Sequence, residues 1–178
     1  MNTFFRIFIL SFFFLSCSSD LDFDQVNDLK LKPVGVGNLA TFEVKASQLL
    51  FGSIEISTLA DKMNFQVFND VTINKFLIRT DLFFEINNTI NRAYTLEITF
   101  LDANDSPLHT INFSIPAHTG TENLVSTTET FENNQLNILK RTTKMAFLLR
   151  MASGPALTEN SLGSIKLRSG VTAYFIIE

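Results

Sequence analysis

Cysteine is almost absent from this chain of 178 residues, which has one, Cys17, and no tryptophan. A single thiol cannot close an intrachain disulfide, so stability has to come from packing. Histidine is scarce too. The only imidazoles, His109 and His118, are nine residues apart with no acidic residue between them. Zinc and iron sites draw three or four ligands from His, Cys and carboxylates, so no metal site is expected. The seven glycines form neither a phosphate-cradling nor a dinucleotide-binding pattern, and the strained G-x-S-x-G turn of serine hydrolases is missing. Without a base, nucleophile and orienting group in recognisable spacing, the chain is expected to have no catalytic residues and no cofactor, and not to be an enzyme. Paired carboxylates of the glycoside-cleaving kind stay open, since their pairing in space is not written in the sequence. Basic residues are in deficit, 14 against 18 acidic for a net charge of −4, which excludes nucleic acid as the expected partner. Long apolar runs are missing as well: the longest, Ile7 to Leu15, carries Ser11 and falls far short of the ~20 residues a spanning helix needs.

What is present begins with that short run. In "MNTFFRIFILSFFFLS" a positive start, the amine and Arg6, leads into the apolar stretch, which is the layout of a secretory leader. The leader ends Phe14-Leu15-Ser16-Cys17, a small residue directly before the only cysteine. Here the chain resembles bacterial lipoprotein precursors, although Phe14 stands where leucine is usual. The resemblance implies removal of residues 1–16, a diacylglyceryl group on the Cys17 thiol, and usually a further acyl chain on the new amine. Two or more chains anchor stably, at ~0.8 kcal/mol per buried methylene. The membrane, through acyl chains on Cys17, is therefore the first expected partner. Loss of Arg6 makes the remaining chain one unit more negative.

Residues 17–28, "CSSDLDFDQVND", form an acidic tether. Two readings of Asp20, Asp22 and Asp24 stand: a solvated spacer, or the surface-export signal seen in lipoproteins of Bacteroidetes. A calcium loop is excluded, because Gln25 takes the place of its glycine and Leu31 that of its bidentate glutamate.

From residue 29 to 178 the pattern is that of one domain, mostly β. In "YTLEITFL" Tyr94, Leu96, Ile98 and Phe100 share one face, and "HTINFSIP" resumes the alternation with Ile111, Phe113 and Ile115 after the turn chemistry of "DANDSP". Together they predict a hairpin. Further strands are expected at 34–36, 41–44, 53–56, 63–67, 81–86, 145–150, 164–168 and 171–177, the last apolar on both faces and so central. Short helices are expected after Asn69 or Asp70, with Ile73, Phe76 and Leu77 on one face, and in "FENNQLNILKR", with Leu136 and Leu139. At an offset of 63 residues Phe68, Asn74, Thr80 and Phe84 meet Phe131, Asn137, Thr143 and Phe147, which points to a helix-then-strand unit used twice. The expected architecture is an antiparallel β-sandwich with two short helices.

His109 is expected half-buried at a strand edge and His118 in a loop. The stretches 116–124 and 154–160 are expected as polar loops at the sandwich ends, where binding residues often sit. Tyr94 and Tyr174 are the only tyrosines, and both fall on strands, which argues against a sugar-stacking platform.

Several stretches, "LDFDQVNDLKLKP", "DLFFEINNTINRAYTLEITFLDAND", "INFSIPA" and "SLGSIKLR", resemble uncharacterised lipoproteins of flavobacteria. That resemblance implies an address at the outer membrane, on the surface or the periplasmic side, and no particular activity. More distantly, residues 87–116 look like the strand rhythm of late-embryogenesis-abundant type 2 and immunoglobulin-like sandwiches. The function to expect is a lipid-anchored envelope protein with a non-catalytic structural or protein-interaction role, another envelope protein being its partner. The alternative is a surface module binding glycan or peptide.

Overall fold

The computed structural model describes residues 30–177. The leader, Cys17 and the whole tether of residues 17–28 lie outside the described residues, as does Glu178. Among the described residues there are ten strands: β1 (Val34–Lys45), β2 (Leu50–Phe51), β3 (Ile54–Glu55), β4 (Thr58–Asn64), β5 (Leu77–Asn88), β6 (Tyr94–Leu101), β7 (Pro107–Ile115), β8 (Leu124–Glu132), β9 (Lys144–Met151) and β10 (Ser164–Phe175). Two α-helices, α1 (Val71–Phe76) and α2 (Leu136–Arg141), and two 3₁₀ turns, Ala46–Leu49 and Asn133–Gln135, complete the domain.

Two four-stranded sheets carry the fold, in the orders β1-β10-β5-β8 and β4-β9-β6-β7, with β2 and β3 as a separate small hairpin. Every pairing is antiparallel. The pairs β6 with β7, β5 with β8, β4 with β9 and β1 with β10 are nested one inside the next. The chain is thus one long hairpin, its tip at the turn 102–106, rolled up into two facing layers. That is the jelly-roll arrangement of eight strands. It differs from the immunoglobulin order, in which four strands ABED face CFG. The rhythm of residues 87–116 belongs to the hairpin that both folds contain, and the connections around it decide between them.

Period-two alternation explains the core. Leu82, Phe84 and Ile86 of β5, Leu96, Ile98 and Phe100 of β6, and Ile165 and Leu167 of β10 all turn inward and are buried. Phe65, Phe68 and Phe131 close one end, with Phe65 and Phe131 each about 6 Å from Phe100 in tilted or edge-on geometry. Strand β10 runs between β1 and β5, so its central place agrees with its apolar residues on both faces. The two stretches expected at 34–36 and 41–44 are one strand with a bulge between Asn38 and Thr41. Ser169 of β10 supplies what the bulge leaves unpaired: its Oγ accepts from Ala40 N–H and donates to Ala40 C=O.

Both helices form, each running directly into a strand, α1 into β5 and α2 close before β9. Asp70 Oδ1 accepts from Ile73 N–H at 3.1 Å, the expected N-terminal cap. Leu136 and Leu139 are the buried residues of α2, and its basic end reaches across, Lys140 Nζ donating to Asn74 C=O of α1 at 3.0 Å. Helix α1 stops at Phe76, so Leu77 belongs to β5 rather than to a helix face. The helices and the turn 102–106 share one end of the sandwich, where Ile176 N–H also donates to Phe76 C=O and Phe175 N–H to Pro33 C=O. The chain therefore enters and leaves the domain at the helix end.

Candidate functional site

The opposite end gathers four connections around Arg92, which is 7 % exposed. Its guanidinium meets Glu55 of β3 at 3.3 and 3.4 Å, its Nε donates to Ala152 C=O at 2.6 Å, and its Nη1 donates to Pro155 C=O. Glu55 in turn accepts Leu157 N–H at 2.7 Å. Gly154 allows the close approach, since a Cβ there would sit 2.9 Å from Arg92 Cδ. One layer further in, Asn88 is fully buried with every polar atom used: Nδ2 donates to Arg92 and Pro116 C=O, and Oδ1 accepts Ile90 N–H. These bonds join the hairpin β2–β3 and the loops 89–93, 116–123 and 152–163 into one rigid end. The polar loops 116–124 and 154–160 do sit together, but their inner sides serve this clamp. Beyond it the apolar tips Phe51 and Ile54 of the small hairpin, and Leu162, stand exposed.

The two long seams of the sandwich differ. Along β7 and β8 the layers are stitched: His109 Nε2 lies 2.9 Å from Glu129 Oε1, and its ring packs edge-on against Phe131 with centroids 5.4 Å apart. His109 is thus the half-buried edge residue expected, and His118 lies in the loop 116–123, its backbone N–H donating to Ile90 C=O. Along β1 and β4 the seam is open. A groove of about 670 Å³ runs between these two edge strands, with Phe42 and Val44 on one wall, Leu59 and Met63 on the other, and Leu96 and Phe147 in its floor. Phe42 meets Phe147 edge-on at 5.9 Å, so the sheets touch at the bottom of the groove.

Two charged residues border this apolar lining: Glu43 of β1, whose strand parity is opposite to that of Phe42 and Val44 and whose carboxylate meets Lys166 at 3.4 Å, and Asp61 of β4. Asp61 has the strand parity of Leu59 and Met63, sits across from Phe147 in register, and lines the groove. Its Oδ1 accepts the N–H of Lys62. Lys62 itself turns to the outer face, where it and Lys144 bond Asp105 at 3.2 and 2.9 Å. These two hydrogen bonds hold the Asp105 carboxyl below the usual carboxylate range.

Neither tyrosine offers a stacking platform. Tyr94 is buried among the strands, and burial pushes its phenol up to about 12. Tyr174 is covered by Arg79, 5.3 Å above its ring. Among the described residues no group of three or more His, Cys, Asp or Glu is placed to hold a metal, and no helix is long and apolar enough to cross a membrane. Neither the clamp nor the groove was foreseeable from local pattern, because Glu55, Arg92 and Pro155, or Phe42, Asp61 and Phe147, lie far apart in the chain.

No family model matches the chain, and no curated protein is similar to it in sequence. Several solved structures match it at low identity. The infectious bursal disease virus VP2 subviral particle is similar over 80 % of this chain and 32 % of that one, at 12 % identity and a TM-score of 0.46. The tymovirus of Desmodium yellow mottle is similar over 83 % and 90 %, at 10 % identity and a TM-score of 0.36. A Parabacteroides distasonis protein described as secreted is similar over 65 % of this chain and 37 % of its own, at 12 % identity and a TM-score of 0.44. The chain spans about a third of the first and third of these proteins. Likeness at this level transfers no residue and no activity.

Proposed function

We propose that the protein is an envelope component, held at the outer membrane by acyl chains on Cys17, and that it works as a non-catalytic interaction module. The observation that carries the interaction role is the asymmetry of the seams: β7 and β8 are stitched by His109 and Glu129, whereas β1 and β4 stand apart over an apolar groove. Apolar surface left unfilled between two unpaired strand edges is costly unless a partner covers it. The leader and the small residue before Cys17 support the anchor.

Peptide is favoured over glycan as what is recognised, because the groove is apolar and both tyrosines are covered. Two measurements test the proposal separately. Cys17→Ala should move the chain from the membrane to the soluble fraction, and retention in the membrane would sink the lipid anchor. A photocrosslinking side chain at Leu59 should capture one stable partner in cells while the same probe at the outward Glu97 captures none. Equal labelling at both positions would remove the groove from the argument.

A further inference from the structure

We infer that the groove accepts an extended segment of another protein, added as a fifth strand along the free edge of β4, with apolar side chains flanking a basic residue that faces Asp61. The inference rests on the groove being the interaction site and names what fills it. Strand β4 has β9 on one side only, and its seven residues keep an unbroken register with that neighbour. Strand β1, on the other wall, is bulged between Asn38 and Thr41, a device that spoils an edge for pairing. The regular edge is therefore β4. A strand beside it places every second side chain over the groove next to Leu59, Asp61 and Met63.

Asp61 selects among occupants. It is the central residue of Thr58–Asn64, so a second copy pairing β4 to β4 about a two-fold axis would set Asp61 against its own counterpart. The tether of this same chain carries Asp20, Asp22, Asp24 and Asp28, and would bring like charge to the same place. A partner with lysine or arginine at the central inward position meets the carboxylate instead, and apolar residues two places before and after it meet Leu59 and Met63.

The test uses the full chain and peptides of about nine residues, long enough to cover the seven of β4. One alternates valine and threonine with lysine at the centre on the valine face, and a second has glutamate in that place. The lysine peptide should bind saturably by fluorescence anisotropy. Asp61→Lys should weaken it about tenfold and reverse the preference in favour of the glutamate peptide. Asp61 is exposed, so the variant should keep its melting temperature, which is read alongside. Methylating the peptide amides that face β4 should abolish binding. Absence of saturable binding, a preference that does not reverse, or indifference to amide methylation would each overturn the inference, as would a β4-dependent dimer by sedimentation. None of these results touches the membrane fractionation of Cys17→Ala or the crosslink at Leu59, so the strand reading can fail while the interaction role stands.

Discussion

Replacing Glu55 by alanine tests whether the clamp holds the loop end together. The guanidinium of Arg92 would keep two carbonyl acceptors, Ala152 and Pro155, and lose its only carboxylate, while remaining almost wholly out of water. Leaving a buried charge without its partner costs ~3–5 kcal/mol, but the Glu55 side chain is 29 % exposed, so water enters where it stood and the lower half of that range applies. The amide of Leu157 also loses its acceptor, at about 1 kcal/mol. Together the loss is about 4 kcal/mol, which for a domain of this size lowers Tm by roughly 12 °C. The assay is thermal unfolding followed by circular dichroism, with urea titration as a second probe. In an Arg92→Met background the same Glu55→Ala change should cost only about 1 kcal/mol, because the charge it stranded is gone. A fall in Tm below about 3 °C for Glu55→Ala alone, or equal losses in both backgrounds, would refute the claim that the pair works as a unit.

Three further outcomes follow from the same geometry. Gly163→Ala should cost about 3 kcal/mol or more, since its φ is +100° and a Cβ would lie 2.4 Å from Thr89 C=O, whereas Gly52→Ala, at φ +60° with nothing within 4 Å, should cost about 1 kcal/mol; equal melting temperatures would contradict this. Tyr94→Phe should leave Tm unchanged or raise it, because the buried hydroxyl has no hydrogen-bond partner among the described residues, and a fall of more than about 3 °C would show that it does. Below about pH 4 stability should drop. Burial works against ionising Asp81, yet hydrogen bonds from Arg79 and Thr130 leave its carboxyl below the ordinary range, as Lys144 and Lys62 do for Asp105. Their contribution is complete above the ordinary carboxylate range and is lost as pH falls through the depressed one, so Asp81→Asn should flatten the acid limb of a Tm-against-pH curve.

Where one face of a strand is buried, the sequence was legible. The hairpin β6–β7 could be read residue by residue, because inward Tyr94, Leu96, Ile98 and Phe100 alternate with Thr and Glu. Strand β8 was missed for the complementary reason. It is an edge strand whose inward positions Val125, Thr127, Glu129 and Phe131 include polar residues facing His109, so apolar alternation fades although its threonines suit a strand. Bulges hid continuity in β1, where Asn38 to Ala40 read as a break. Strand β4 begins at Thr58, ahead of the expected 63, since two of its three inward positions are only half-buried and the third is Asp61. Nothing in the local pattern singles out that aspartate. Its place over Phe147 depends on a pairing across more than eighty residues, which local pattern does not carry. Of the four identities at an offset of 63, Asn74 and Asn137 fall in the two helices and Phe84 and Phe147 in β5 and β9, whereas Phe68 lies in a turn against Phe131 in β8, and Thr80 lies in β5 against Thr143 ahead of β9.

Nesting has a kinetic consequence. Val34 pairs with Tyr174, so the outermost pair joins residues about 140 apart and is expected to close after the pairs nested inside it. While β10 is held back, β1 stays out of the sheet β1-β10-β5-β8, because β10 is what β1 and β5 both bond to, and only β5 and β8 can pair without it. Until Phe175 is free, two strands with alternating apolar faces wait with unpaired edges, open to aggregation and to whatever chaperone covers them. A chain lacking β10 should therefore lose the partner of both β1 and β5 at once rather than one edge strand.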